Sequence, residues 1–173
     1  MTDGLLWALI YVFVLTFICY PGLAETSTIN FMKDISNYGS WFNLFVQGIF
    51  NGLDAVGRYC GGVGCMILSN GSIKVGSAVR TLLIATFLLV AFDITPFKQD
   101  WFIILNLAIF SFSNGYVSTL CAVKAPQTVE GEAKGQVGGF IGITISTGIV
   151  IGSLLAYAML QLIKATPEYK DNH

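Results

Sequence analysis

The stretch NLFVQGIFNGLDAVGR, Asn43 to Arg58, places an aspartate and an arginine inside a long apolar run. Asp54 and Arg58 are four residues apart, so a helix makes them neighbours on one face. With about 100° of rotation per residue, the polar side chains of this stretch share an arc of roughly 80°: Asn43, Gln47, Asn51, Asp54 and Arg58. A helix in lipid must turn such a stripe towards protein or a water-filled cavity. The pattern therefore predicts a membrane helix that forms the wall of a polar site.

The composition of the chain indicates a membrane protein. Of its 173 residues, 54% are hydrophobic and 11% are charged, whereas soluble domains carry about 25% charged residues. The net charge of -1 gives no basic excess that would suggest a nucleic-acid partner. The four cysteines lie in apolar runs, which favours buried free thiols over disulfides: Cys19, Cys60, Cys65 and Cys121. The one histidine is His173, and no cluster has metal-ligand spacing, so we predict neither a metal, a cofactor nor an enzyme.

Five stretches are long and apolar enough to cross a bilayer, which takes about 20 residues. We therefore predict an all-α membrane protein whose single transmembrane domain, residues 1–173, has helices at about 5–23, 41–68, 78–92, 101–123 and 135–163. Pro21 and Gly22 can open the end of the first helix. The alternative for that helix is a signal peptide, which Asp3 and the lack of Lys or Arg before the apolar run disfavour.

The segments between these helices are predicted to be loops. The turn-rich sequence SNGSIKVGS, Ser69 to Ser77, contains a glycosylation sequon that begins at Asn70. Polar segments at 25–39, 93–100 and 124–134 serve as the other linkers, and 164–173 forms a polar tail. Basic residues divide evenly between the two sides and leave the orientation open: Lys74, Arg80, Lys124 and Lys134 against Lys33, Lys98, Lys164 and Lys170.

The fifth predicted helix carries a ridge of small residues. By helical spacing, its members fall within roughly 60° of one another: Gly135, Gly139, Gly142, Ser146 and Ser153. Such ridges let membrane helices approach closely, and packing without substrate contact is the simpler interpretation. We expect Gly139→Leu to disrupt packing, and Gly148→Leu, off the ridge, to be milder.

The polar face of the second helix limits the chemistry of a bound solute. Asp54 offers acceptors, Arg58 offers donors, and Asn51 and Gln47 offer both. If the two charges pair, the site is close to neutral and suits an uncharged polar solute with hydroxyls and a heterocycle. Tyr116, on the fourth helix, could stack on a ring. The alternative is an internal salt bridge that only neutralises two buried charges, but the amides on the same face favour a cavity wall.

Four short motifs resemble those of the equilibrative nucleoside transporters, with this chain matching the last five of that family's eleven helices. They are Tyr20-Pro21, the FNGLDAVGR run Phe50 to Arg58, the segment Phe112 to Tyr116 with Ser118 and Leu120, and the set Glu132, Gly135, Gly148 and Gly152. The resemblance implies a fold like that of the major facilitators, in which a six-helix lobe and a five-helix lobe surround one cavity. It implies that Asp54 and Arg58 contact the nucleoside.

The resemblance also extends the predicted site and implies a function. It adds Ser113, Asn114 and Tyr116 to the substrate site, and Gly148 and Gly152 to helix packing. It implies facilitative transport of nucleosides or nucleobases by alternating access, most naturally at the plasma membrane, with this chain as the C-terminal lobe and a six-helix N-terminal lobe missing from it. The loop that bears Asn70 would be cytosolic. The alternative is a truncated or partner membrane protein without transport activity of its own.

Overall fold

The computed structural model describes residues 2–23, 38–63, 69–91 and 99–165, which are almost entirely helical. The helices are α1 (Thr2–Phe17), α2 (Tyr38–Val63), α3 (Asn70–Val79), α4 (Thr81–Ala91), α5 (Asp100–Gln127) and α6 (Ala133–Ala165). Several predictions lie outside the described residues: those for most of the linker 25–39, the end of the second helix at Leu68, the loop 93–98, Cys65, and the tail from residue 166 with His173.

The end of α1 opens as the proline there predicts. A distorted turn, Ile18–Leu23, follows the helix, and Tyr20 within it has φ -134 and ψ 129. This is the extended backbone into which proline forces the residue before it. The ring of Tyr20 stacks on Phe50 of α2 with the ring centroids 4.1 Å apart. The opened turn therefore ties the end of α1 to the polar-striped helix.

The prediction of a loop at Ser69 to Ser77 is wrong, because this segment begins a helix. Ser69 is the N-cap of α3, and the backbone N–H of Ser72 donates to its Oγ at 3.1 Å. The Ser77 hydroxyl donates to the carbonyl oxygen of Ile73 at 2.9 Å, so it is satisfied inside the helix. Only Arg80 separates α3 from α4. The helix predicted at 78–92 is thus the second part of one broken helical stretch.

Four helical stretches in the described residues are long and apolar enough to cross a membrane: Thr2–Tyr20, Gly71–Val90, Asp100–Gln127 and Ala133–Leu162. Both α5 and α6 extend into the segment predicted as the loop 124–134. Helix α2 has 26 residues, but its polar stripe lowers its hydropathy. The fifth crossing therefore stays a prediction.

The core consists of two apolar clusters with polar side chains between them. The first cluster includes Ile18, Phe50, Phe87 and Phe110. The second includes Leu9, Val12, Ile73, Tyr116, Val117 and Leu120. Polar side chains from α1, α2, α5 and the junction of α3 and α4 lie between the two clusters, and we call this set the polar layer: Thr16, Asp54, Arg58, Arg80, Ser113 and Asn114.

The contact of α6 with α1 corrects the prediction about the small-residue ridge. A Cβ added at Gly148 would lie 2.7 Å from Cβ of Phe13, and one at Gly152 would lie 2.8 Å from Cβ of Phe17. On the ridge, an added Cβ would meet nothing within 4 Å at Gly135, Gly139 or Gly142, and Ser146 is exposed. Within the described residues, Gly148 is therefore the tight position and Gly139 is open, which reverses the order that we expect from the sequence for the two leucine substitutions.

Candidate functional site

Asp54 and Arg58 form the ion pair that their spacing predicts. Nε of Arg58 donates to Oδ2 of Asp54 at 2.6 Å. The Arg58 side chain is 48% exposed, whereas that of Asp54 is 13% exposed. The pair thus lies at the boundary between the interior of the bundle and the surface of α2.

Apart from Asp54, the polar stripe of α2 faces away from the rest of the described chain. Asn43, Gln47 and Asn51 are exposed along with Arg58, and a Cβ added at Gly48 or Gly52 would meet nothing within 4 Å. A neighbouring side of the helix is buried in the first apolar cluster through Phe42, Val46 and Phe50. We call the exposed stripe the open face of α2.

Helices α2 and α5 touch backbone to backbone beside the ion pair. A Cβ on Gly57 would overlap the carbonyl oxygen of Phe112, and a Cβ on Gly115 would overlap that of Asp54. Only glycine at both positions permits this approach. The crossing brings Asn114, the neighbour of Gly115, against the carboxylate of Asp54.

Asn114 extends the ion pair into the interior. Its Nδ2 donates to Oδ1 of Asp54 at 2.7 Å, and its Oδ1 lies 2.6 Å from the hydroxyl of Thr16, which can donate to it. Nη2 of Arg80 donates to Oγ1 of Thr16 at 3.1 Å and lies 3.5 Å from Oδ1 of Asn114. A chain of hydrogen bonds therefore runs from the open face of α2 through α5 and α1 to a buried guanidinium.

Arg80 is the residue of this site that the sequence prediction missed. It is 3% exposed, its Nη1 donates to Oγ of Ser113 at 3.0 Å, and its Cζ lies 4.8 Å from the centre of the Phe110 ring. Arg80 lies within the helix predicted at 78–92, but it was counted with the basic residues that flank the membrane and not with the site. The available signal was its place inside a mostly apolar stretch, Gly71–Val90, that is long enough to span. An ionisable residue in such a stretch is by default a candidate for function.

The predicted site residues of α5 lie behind the open face. Asn114 is 2% exposed and Ser113 is partly buried, so both contact the charged groups from the interior. Tyr116 is 6% exposed and belongs to the second apolar cluster. Its ring stacks on Phe112 with the centroids 6.1 Å apart and the planes 6° apart. In this conformation Tyr116 packs in the core, and it does not offer the open ring face that the stacking prediction requires.

The site offers hydrogen bonds and charge. Among the residues that the structure describes, no group of three His, Cys, Asp or Glu side chains could hold a metal ion. Cys19 and Cys121 are buried free thiols. The groups that reach the open face are Arg58, one edge of Asp54, and the amides of Asn51 and Gln47.

The chain is similar to known proteins over most of its length. The family model described as nucleoside transporter matches residues 4–161. The chain is 29% identical over 161 residues to nucleoside transporter 1.1 of Leishmania donovani, which covers 89% of this chain and 30% of the relative. It is 28% identical over 153 residues to equilibrative nucleotide transporter 5 of Arabidopsis thaliana, covering 88% and 34%. Equilibrative nucleoside transporter 1 of Homo sapiens is 24% identical over 170 residues, covering 92% and 36%. The chain thus spans about a third of the length of these relatives.

Proposed function

The chain belongs to the nucleoside transporter family, and from that premise we propose that it forms the C-terminal lobe of a facilitative transporter of nucleosides or nucleobases. The open face of α2 is the substrate wall of this lobe. The substrate site opens alternately to the two sides of the membrane as this lobe moves against a six-helix N-terminal lobe. The whole transporter then has a fold like that of the major facilitators. The plasma membrane is the proposed location. The observation that carries the proposal is the Asp54–Arg58 pair, half exposed on one side and anchored in the interior on the other.

The ion pair leaves hydrogen-bonding capacity for a solute. Arg58 occupies Oδ2 of Asp54 and Asn114 occupies Oδ1, but each carboxylate oxygen can accept more than one hydrogen bond. The exposed edge of Asp54 therefore suits a ribose hydroxyl. Arg58 uses Nε for the pair, and its remaining N–H donors suit the carbonyl or ring nitrogens of a base. Asn51 and Gln47 add donors and acceptors on the same face.

The directions of the helices support five crossings. Gly57 of α2 faces Phe112 of α5, and Gly61 faces Thr119, so these two helices run the same way. Helices α1 and α5 run oppositely, because Thr16 contacts Asn114 while Thr2 contacts Thr128. At about 1.5 Å per residue, the 26 residues of α2 extend ~39 Å, more than the ~30 Å of a bilayer core. We therefore treat α2 as the crossing between α1 and the α3–α4 stretch.

The proposal is tested by nucleoside binding to purified variants in lipid nanodiscs, with the chain alone and with an N-terminal lobe from a relative. We expect Asp54→Ala and Arg58→Ala each to weaken binding about tenfold or more and to lower stability, because each leaves a charge unpaired in a low-dielectric wall. The double variant should regain part of the stability, since neither member of the pair is left without its partner, but it should not regain affinity.

The control is Asp3→Ala combined with Lys74→Ala, which removes one acid and one base that are exposed and outside the polar layer. Its affinity should equal that of the wild type. Wild-type affinity in the folded double variant would show that the pair holds the helix and does not contact the substrate. A wild type that binds no nucleoside in either setting would reject the transport role.

A further inference from the structure

A second cation lies behind the substrate wall. Arg80 is 3% exposed, and the groups that accept from it are neutral: the hydroxyls of Ser113 and Thr16 and the amide oxygen of Asn114. A buried charge is costly unless hydrogen bonds and an opposite charge compensate it. The carboxylate to which these contacts lead is Asp54, on the far side of the Asn114 amide. One amide therefore joins the buried guanidinium to the acid of the wall.

The Asn114 amide has one orientation that satisfies both neighbours. Its oxygen faces Arg80 and Thr16, and its NH₂ group faces Asp54. The reverse orientation would set N–H donors against the guanidinium and an oxygen against the carboxylate. The Thr16 hydroxyl cannot enforce this choice alone, because its single proton is also within reach of the carbonyl oxygen of Val12, 2.7 Å away. An ionised carboxylate can only accept and a guanidinium can only donate, so Asp54 and Arg80 fix the amide from its two ends.

Arg80 is itself held in place. It occupies the break between α3 and α4, where its backbone N–H donates to the carbonyl oxygen of Gly76 at 3.3 Å. Its guanidinium lies over the Phe110 ring, and the Ser113 hydroxyl that accepts from it donates in turn to the carbonyl oxygen of Phe110 at 2.9 Å. Broken membrane helices frequently build the binding sites of transporters. The side chain is thus a fixed anchor at the level of the ion pair.

We propose that Arg80 is a positioning residue for nucleoside binding. Through the Asn114 amide it holds the Asp54 carboxylate so that Oδ2 meets Arg58 at the open face. Arg80 does not contact the nucleoside, and its effect passes through Asn114. This inference rests on the proposed function of the open face as a substrate wall.

The first test compares Arg80→Met, Arg80→Lys and the control Lys74→Met, which removes an exposed charge from the same helical stretch. Affinity for a nucleoside is measured per folded molecule of the full chain, in the setting in which the wild type binds. Arg80→Met should weaken binding about 10- to 100-fold, the usual cost of losing a charge-assisted contact. Arg80→Lys keeps a charge and donors, so its affinity should lie between those of Arg80→Met and the wild type. Lys74→Met should have wild-type affinity.

A role of Arg80 in stability alone predicts fewer folded molecules, each with wild-type affinity, and this result would overturn the proposal.

A double-mutant cycle keeps the proposal falsifiable if Arg80→Met does not fold. In the wild-type background, Arg80→Lys should weaken binding, whereas in an Asn114→Ala background it should have no further effect, because the intermediary is gone. Equal effects of Arg80→Lys in both backgrounds would overturn the role of Asn114 as intermediary.

A second cycle needs no nucleoside. It measures thermal unfolding of Arg80→Lys, Asp54→Asn and the double variant, and the positioning role requires that the two effects are not additive. If the wild type binds no nucleoside, the proposed function fails, while this coupling still decides whether Arg80 holds Asp54. If the wild type binds, additive unfolding effects together with unchanged affinity in Arg80→Lys would overturn the inference alone.

Discussion

Replacing Gly57 by alanine should separate α2 from α5 and break the link between the substrate wall and the interior. The added Cβ would overlap the carbonyl oxygen of Phe112 and lie 2.9 Å from the amide nitrogen of Tyr116. Both are backbone atoms and cannot rotate away. Because non-bonded carbon contacts are normally about 3.5–4.0 Å, the helices must part by roughly 1 Å. That shift would stretch the 2.7 Å hydrogen bond between Asn114 and Asp54 beyond its useful range.

The expected loss of stability can be estimated from the steric overlap and the broken hydrogen bond. Overpacking a well-packed contact costs about 1–3 kcal/mol, and losing a hydrogen bond to a charged group costs about 1.5–3 kcal/mol. Since the losses overlap, we expect Gly57→Ala to lower the free energy of unfolding by about 2–4 kcal/mol. Chemical denaturation of the purified chain in detergent measures this change, and nucleoside binding by the folded fraction should weaken as well.

Gly62→Ala is the matched control for this experiment. Gly62 lies on the same helix, but a Cβ added there would meet nothing within 4 Å. Alanine in place of glycine in an open helical position is neutral or stabilises by about 0.4–1 kcal/mol. If Gly57→Ala and Gly62→Ala have equal stabilities, the backbone contact between α2 and α5 does not exist as described.

Three further predictions concern helix packing, one buried hydrogen bond and the orientation of the chain. Gly148→Leu should lower thermal stability in detergent far more than Gly139→Leu, because Gly148 lies against α1 and Gly139 is open; the reverse order would reject the observed α1–α6 contact. Thr16→Val should lower the free energy of unfolding by about 1 kcal/mol by removing the hydroxyl between Asn114 and the buried arginine, and denaturation equal to that of the wild type would count against this hydrogen bond. Asn70 should stay unglycosylated when the chain is translated with microsomes, as a cytosolic position requires, and a glycosylated product would reverse the proposed orientation.

Local sequence determined the features that a single helix contains. The spacing of Asp54 and Arg58 was sufficient to predict their ion pair, because positions i and i+4 are neighbours on any helix. The period of the stripe predicted that Asn51 and Gln47 share its face, and Pro21 predicted the opened end of α1. The apolar runs of α1, α5 and α6 predicted helices long enough to cross a membrane. Each of these inferences depends on residues within a few turns of one another.

Only the tertiary structure decided which helix faces meet and which buried groups pair. The polar layer joins Asn114 to Asp54 and to Thr16 across separations of 60 and 98 residues, and helical periodicity carries no information about such contacts. For α6, the period identified small residues on shared faces, but not that Gly148 would meet α1. The role of Arg80 depends on such contacts too: its own predicted helix is otherwise apolar, and the acceptors that make burial of its charge tolerable come from α1 and α5.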